Sequence, residues 1–306
     1  MGLVEAIIIS IIAASTPLLL AAAGELVVER SGVLNLGVEG MMIMGAACGF
    51  AGAWLTGSTF VGALFGIAAG MALSLIFAVL TLGLAVNQVA AGLALTILGV
   101  GLSGLIGAGL VGEKIMPAPQ LTIPALTGIP LIGRILFGQD GFVYVSIGLV
   151  AGIWWFLYRT RGGLILRAVG DNHTSAHALG YPVLKIRLLA VLFGGGCAGL
   201  AGAFLPLAYT PFFITGMTAG RGWIALALVV FSSWLPGRLV AGAYLFGAVS
   251  ILQLHAQAFG LGIPSQLMTA LPYLATVIVL VIISRAHGGH GSVAPASLGT
   301  VFVPDR

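Results

Sequence analysis

Apolar runs of about twenty residues, separated by short polar turns, recur along the chain, and that period predicts its elements. Read in order, the runs predict spans near 6–23, 34–55, 60–83, 88–110, 142–158, 188–208, 222–235, 239–258 and 267–284. That is about nine crossings, with eight to ten compatible. Pro206, Pro211, Pro264 and Pro272 lie within or beside the later runs. They predict broken or kinked helices whose freed backbone groups need partners in protein or water. Only Glu5 precedes the first run, with no basic residue, and further spans follow, so it reads as a retained helix and not a signal peptide. The expected fold is all-α, a polytopic transmembrane helical bundle. It forms one domain over 1–286, with a polar loop inserted at 159–187, followed by a short disordered tail at 287–306.

The longest polar interruption is that loop, YRTRGGLILRAVGDNHTSAHALGYPVLKIR. It carries Arg159, Arg161, Arg167, Lys185 and Arg187, five of the twelve basic residues, together with Asp171, His173 and His177. Basic residues in short loops mark the cytoplasmic face. With 159–187 inside, Arg238 and Arg285 also fall inside, the near-neutral 111–141 loop falls outside, and the N-terminus is extracytoplasmic. The Glu25–Arg30 segment becomes a cytoplasmic turn. Arg159, Arg161, Lys185 and Arg187 then serve mainly topology.

Composition narrows the classes further. Hydrophobic residues make up 59% and charged residues 7% of 306, so the net charge of +4 belongs to loops facing an anionic leaflet rather than to nucleic acid. The 47 glycines suit spans that pack backbone against backbone; Gly45/Gly49, Gly62/Gly66/Gly70 and Gly195/Gly199 share a four-residue spacing. Cys48 and Cys197 lie in apolar runs and read as buried residues, neither a disulfide nor a metal pair. No metal-ligand spacing, catalytic grouping or GxxxxGK[ST] loop occurs. The chain binds no cofactor of its own and is not an enzyme on this reading.

A second polar stretch, GELVVERSGVLNLGVEGMMIMG at 24–45, places Glu25, Glu29, Arg30, Ser31, Asn35 and Glu39 in or beside apolar surroundings. Ionisable groups there are expensive and usually face a cavity or a partner. Asn35 and Glu39 are candidate pathway residues, with Asn87, Gln88, Arg221 and Gln266, although such amides equally join helix to helix. Trp54, Trp154, Trp155, Tyr158, Trp223 and Trp234 read as an interfacial belt. VEGMMIMGA at 38–46 echoes GRGWIALAL at 220–228, and 86–88 echoes 264–266 at a similar shift. Five intervening spans would make this an inverted repeat with discontinuous helices and a pathway between the halves. Chance similarity among Gly/Ala/Leu-rich segments stays open beside it. Glu39 and Arg221 correspond in the echo, but an ion pair between them would require both motifs to dip toward the midplane.

ERSGVLNLGVEGMMIMGA (29–46), RTRGGLILRAVGDNHTSAHALGYPVLKIRLLAVLFGGGCAGLAGA (159–203) and FFITGMTAGRGWIALALVVF (212–231) resemble the branched-chain amino acid/ribose-type family of ABC importer permeases. Within it they are similar to the shorter permease of nucleoside and simple-sugar uptake systems served by a basic-membrane-protein type binding lipoprotein. The resemblance covers about 16–284. It implies that Arg167, Ala168, Val169, Gly170, Asp171, Asn172, Ala178 and Gly180 belong to a coupling helix seated on a cytoplasmic ATPase, with His173–Thr174 where many relatives have Pro or Lys/Arg. It also implies a second, usually different permease, a dual-domain ATPase that uses ATP and magnesium, an extracytoplasmic solute-binding protein and a bacterial plasma-membrane location. The implied function is half of a translocation pathway for a small polar solute, nucleosides first and a ribose-like sugar as the alternative. An ion-gradient-driven secondary transporter is the competing class. Glu39 would be its proton carrier, but a second buried acid for a relay is not evident in the sequence.

Overall fold

Short polar side chains mark the helix starts by taking up free N–H groups of the first turn. Ser58 accepts from Val61 N–H, Asn87 from Ala90, Asp140 from Phe142 and Val143, Thr160 from Gly163, and Asn172 from Ser175. The computed structural model describes residues 2–122, 127, 132–258, scattered positions between 267 and 281, and 294–303. Within them the helices are α1 (Leu3–Arg30), α2 (Val38–Thr56), α3 (Thr59–Ala78), α4 (Gln88–Gly107), α5 (Ile132–Phe137) and α6 (Gly141–Arg159). They continue with α7 (Arg161–Asp171), α8 (His173–Ala178), α9 (Val183–Phe204), α10 (Arg221–Phe231) and α11 (Pro236–Ala258). Wide π-type turns, Val79–Gly83 and Leu205–Tyr209, extend α3 and α9.

Seven helices among the described residues are long and apolar enough to cross a membrane: α1, α2, α3, α4, α6, α9 and α11. The multi-pass helical bundle is therefore as expected. The predicted span at 222–235 is corrected, because α10 has only 11 residues and covers about 16 Å. The predicted 267–284 span lies largely outside the described residues. A second correction concerns Glu25–Arg30, expected as a turn: these residues are the last turns of α1 and are buried.

Glycine contacts bring α2, α3 and α9 together. A Cβ on Gly45 would strike the Gly199 carbonyl, one on Gly70 the Gly195 carbonyl, and one on Gly199 the Gly66 carbonyl. Backbone therefore meets backbone with no room for a methyl group, as the four-residue spacing predicts. Cys197 makes a separate close contact between α9 and Gly24 of α1, and both cysteines are free. The result encloses α2 and α9, whose most apolar stretches are 78% and 72% buried, against 33% for α3, α4, α6 and α11.

The tail departs from expectation in its described part. Residues 294–303 are packed, not disordered: Ser297 N–H donates to Gly170 O (2.9 Å) and Gly299 N–H to Gly32 O (3.2 Å). Those contacts put the tail on the same face of the bundle as α7, α8 and the end of α1.

Candidate functional site

Residues 31–37 leave the end of α1 and climb along α4 before α2 begins. The Leu34 N–H donates to Gln88 Oε1 (2.7 Å), Thr96 Oγ1 donates to Leu36 O (3.1 Å), and a Cβ on Gly99 would meet the Gly40 backbone. These contacts advance from the first residue of α4 to its twelfth. At 1.5 Å per residue the climb is about 16 Å, roughly half a membrane core. The first turn of α2 therefore lies well inside the bundle.

Glu39, in that first turn, meets the start of α10. Its Oε1 accepts Thr218 Oγ1–H (2.6 Å) and Gly220 N–H (2.9 Å), while Oε2 accepts Gly222 N–H (2.6 Å). Gly220 takes positive φ (80°), which turns the chain into α10, and a Cβ on Gly222 would collide with the Glu39 backbone. One carboxylate thus sits between two helix N-termini, where unpaired N–H groups and the aligned peptide dipoles favour negative charge. From this point α2 runs to Trp54, whose indole N–H donates to Glu113 (3.3 Å). The other helix, α10, runs back to Phe231, and Trp234 just beyond it meets Glu29 and Arg30 at the end of α1.

The sequence-predicted partners divide accordingly. Both echoing motifs do dip and meet, but Arg221 does not pair with Glu39; its Nη1 donates to Met217 O (3.0 Å) and Thr218 O (3.2 Å). Asn35 is fully buried and caps its own turn, with Oδ1 accepting Gly37 N–H (2.9 Å). Gln88 is buried against the 31–37 segment, and Asn87 is an exposed N-cap. Gln266 lies outside the described residues. The apparent isolation of Glu39 as a buried acid is also corrected: Glu25 and Glu29 are each 1% exposed inside α1. Glu29 Oε2 accepts the Trp234 indole N–H (2.6 Å), and the Arg30 guanidinium donates to Trp234 O (3.0 Å). Trp234 is thus a buried junction residue and not part of the aromatic belt. Nothing in local sequence announces it, because its partners lie 204 and 205 positions away.

On the face shared with the tail, the segment expected as one coupling helix over 167–180 is two short helices, α7 and α8, broken at Asn172. Of the eight residues assigned to it, Ala168, Asp171, Asn172, Ala178 and Gly180 face outward. Val169 and Gly170 face inward, and a Cβ on Gly170 would strike Arg30 O. The Arg167 guanidinium lies over the Tyr158 ring at 5.0 Å. Sequence reading missed the two large apolar side chains on the outer face, Leu164 (60% exposed) and Leu179 (77%). Leu164 has its amphipathic helical position as a signal; Leu179 had none beyond its place before the Gly180 breaker.

Arg187, expected to be topogenic, is the largest fully buried side chain of the described residues. Its Nε donates to Ser31 O (3.1 Å), Nη1 to Thr300 O (3.3 Å) and Nη2 to His173 Nδ1 (3.2 Å). A guanidinium has only donors, so His173 Nδ1 must accept and the ring is neutral. Burial, and then the neighbouring Arg187 charge, hold the His173 pKa below its ordinary value.

Cleft chemistry argues against a solute site on the flank of the bundle. A cleft of about 780 Å³ between α6, α7 and α9 is walled by side chains such as Phe156, Ile165, Leu189 and Phe193. Such walls suit acyl chains and lack the convergent polar groups that orient a polar solute.

Comparison with known proteins bears on the whole chain. The family described as "Branched-chain amino acid transport system / permease component" matches residues 7–284. A Haloferax volcanii protein named as a glucose ABC transporter permease, TsgC13, is 45% identical over 87% of this chain and 88% of its own length. The Lactococcus lactis nucleoside ABC transporter permease NupC is 31% identical over 99% of this chain and 98% of its own. The Bacillus subtilis guanosine ABC transporter permease NupQ is 32% identical over 98% of both. A solved structure described as an inward-facing conformation of a metal-chelate type ABC transporter aligns at TM-score 0.50 and 16% identity, over 91% of this chain and 86% of that one. At that identity the likeness speaks for the fold alone. A bundle of spans broken at buried glycine-rich helix starts, with sequence similarity from end to end, fits one description: the chain belongs to the branched-chain amino acid transport system permease family and is the membrane subunit of an ATP-binding-cassette transporter, not its catalytic subunit.

Proposed function

We propose that the chain forms half of the translocation pathway of an importer for a nucleoside-type solute, in partnership with a second, different permease and an extracytoplasmic solute-binding protein. The α7–α8 pair is the surface offered to a cytoplasmic dual-domain ATPase, which binds the ATP and magnesium. This puts the α7–α8 face and the tail in the cytoplasm and the N-terminus outside, in a bacterial plasma membrane. One observation carries the coupling reading. Outward groups on α7–α8 are backed by Gly170, whose Cα packs against the Arg30 carbonyl at the point where the chain leaves α1 for the broken start of α2. Motion of the pair is thereby delivered directly to the discontinuous segment.

Asn35, Glu39, Asn87, Gln88, Arg221 and Gln266 remain the pathway set. Glu39 shapes the pathway by holding the starts of α2 and α10 together, and Asn35 and Gln88 support the 31–37 climb. Glu25 and Glu29 would satisfy the need for buried acids in an ion-gradient carrier, but the family membership outweighs that reading. A simple sugar is the second reading for the solute, favoured by the 45% identity to a relative named for glucose. Nucleosides and sugars share vicinal hydroxyls, so a pathway of amides and backbone carbonyls accommodates either.

The test is uptake into vesicles carrying the assembled transporter. Uptake that persists when the proton gradient is collapsed, and stops when the catalytic residue of the ATPase is changed, supports the importer; the reverse pattern overturns it. Competition between labelled guanosine and excess glucose separates the two solutes.

A further inference from the structure

We infer that the C-terminal segment 294–303 and the buried Arg187 form a clasp that makes α8, the end of α7 and the start of the 31–37 segment move as one body. The inference rests on the coupling reading above. It assigns positioning roles to residues that lie beyond 7–284, the stretch matched by the family model.

Three independent strands converge there. Ser297 N–H donates to Gly170 O (2.9 Å) and Ser297 Oγ to Asp171 O (3.3 Å), taking up carbonyls that the end of α7 leaves free. Two residues on, Gly299 N–H donates to Gly32 O (3.2 Å), on the link between α1 and α2. Arg187 reaches from α9 into the middle of this arrangement and donates to Ser31 O, Thr300 O and His173 Nδ1. One rigid guanidinium therefore binds the link, the tail and α8 at once. Fixed planar donors hold such a three-way geometry where a flexible ammonium holds one partner at a time.

Phe302 completes the closure. Its ring packs edge-on against His173 (5.0 Å) and His177 (5.3 Å), over the small core of Val169, Ala176 and Val183. Val169 and Ala176 lie on different sides of the Asn172 break, so this core, with Phe302 on it, bridges α7 and α8. Without the tail, two short helices of 11 and 6 residues would be joined only at Asn172 and held through their own narrow faces. Helices of that length are not stable by themselves. A push received on α8 would be absorbed at Asn172 instead of reaching Gly32. The clasp closes that slack.

The anchors of the clasp, Gly170, Arg187 and Ser297, are buried, whereas Leu164, Leu179 and Ala178 are exposed. This predicts that it transmits force and does not recruit the ATPase. The complete transporter, reconstituted with its ATPase into liposomes, is compared as wild type, as a chain ending at 293, as Phe302→Ala, and as Leu179→Glu. Three readouts are taken: ATPase co-purification, ATP hydrolysis and uptake. The expected result for the truncation and Phe302→Ala is normal ATPase retention with uptake per ATP hydrolysed reduced at least several-fold. Phe302→Ala keeps the backbone contacts and guards against a truncation that fails to fold. Leu179→Glu is expected to lose the ATPase. Unchanged uptake per ATP in both tail variants overturns the clasp while leaving the coupling reading intact, provided Leu179→Glu releases the ATPase. Loss of the ATPase from the tail variants also overturns it, by making the tail a docking surface. If Leu179→Glu retains the ATPase and full uptake, the coupling reading itself fails.

Discussion

Glu39 Oε2 accepts the Gly222 N–H at 2.6 Å across 183 positions of sequence. With the Gly220 N–H and the Thr218 hydroxyl on Oε1, Glu39 ties the start of α2 to the start of α10. Charge-assisted hydrogen bonds of this kind contribute about 1.5–3 kcal/mol each when buried. Glu39→Gln keeps one acceptor oxygen and turns the other into a donor facing an N–H donor. The expected outcome is a clear fall in thermal stability and at least a tenfold loss of uptake, with Glu39→Asp failing less severely in stability than Glu39→Ala. Melting of the purified protein and vesicle uptake check it; wild-type behaviour of Glu39→Gln would show that the junction is not held by charge.

The glycine seam makes a second prediction, with an internal control. Gly199→Val places three carbons where Gly66 and Gly70 already touch the backbone, and overpacking of this kind costs about 1–3 kcal/mol or more. Gly148→Val, where a Cβ meets nothing within 4 Å, adds side chain to open space. Yield and melting temperature in detergent are expected to fall for the first and to stay near wild type for the second.

Arg187 offers a discriminating series. Arg187→Met removes three hydrogen bonds, one of them to the buried Ser31 carbonyl, and should lower stability by about 1.5–3 kcal/mol. Arg187→Lys keeps the charge but reaches fewer of the three acceptors, so it is expected to recover only part of the loss. A purely topogenic residue would behave oppositely, since lysine satisfies the positive-inside rule as well as arginine. Melting curves of the two variants decide between these outcomes.

The pH dependence follows from His173. Its folded-state pKa is lowered, first by burial and then by Arg187, so the unfolded chain binds the proton more readily than the folded one. Stability therefore rises with pH across the interval between the folded pKa and the ordinary value of about 6.5. The neutral-ring contribution is complete above about 6.5 and is lost as pH falls through the lower folded value. Protonation also turns Nδ1 from acceptor to donor and breaks the Arg187 contact. Melting temperatures of wild type and His173→Gln measured from pH 5 to 8 should differ in slope below about 6.5, with His177 and Asp171 common to both. Equal slopes would remove His173 from the arrangement.

The outer face of α7–α8 is the last test. Asp171→Lys and Ala178→Glu change exposed positions and are expected to reduce ATPase co-purification, leaving the melting temperature near wild type. Gly170→Ala, by contrast, drives a methyl group into Arg30 O and should disturb stability and uptake together. A Gly170→Ala protein with normal melting and normal uptake would break the proposed link to the start of α2.

Much of this protein is determined by local sequence. Twenty-residue apolar runs specify spans because lipid offers backbone groups no partner except their own helix, and Ser58, Asn87, Asp140 and Asn172 announce helix starts for the same reason. The four-residue glycine spacing likewise specified which faces would touch. Tertiary structure alone decided how deep α2 starts, that α10 crosses only part of the way, and that Glu39 meets backbone N–H groups and not Arg221. It also decided that Arg187 and Trp234 are buried and that 294–303 is ordered. The physical reason is common to all of these. A charged or amphipathic side chain beside a membrane span satisfies topology rules equally well in water or against buried carbonyls, and apart from His173 the partners of Arg187 and Trp234 stand 113 to 205 residues away. Only the folded chain brings those partners within hydrogen-bonding distance.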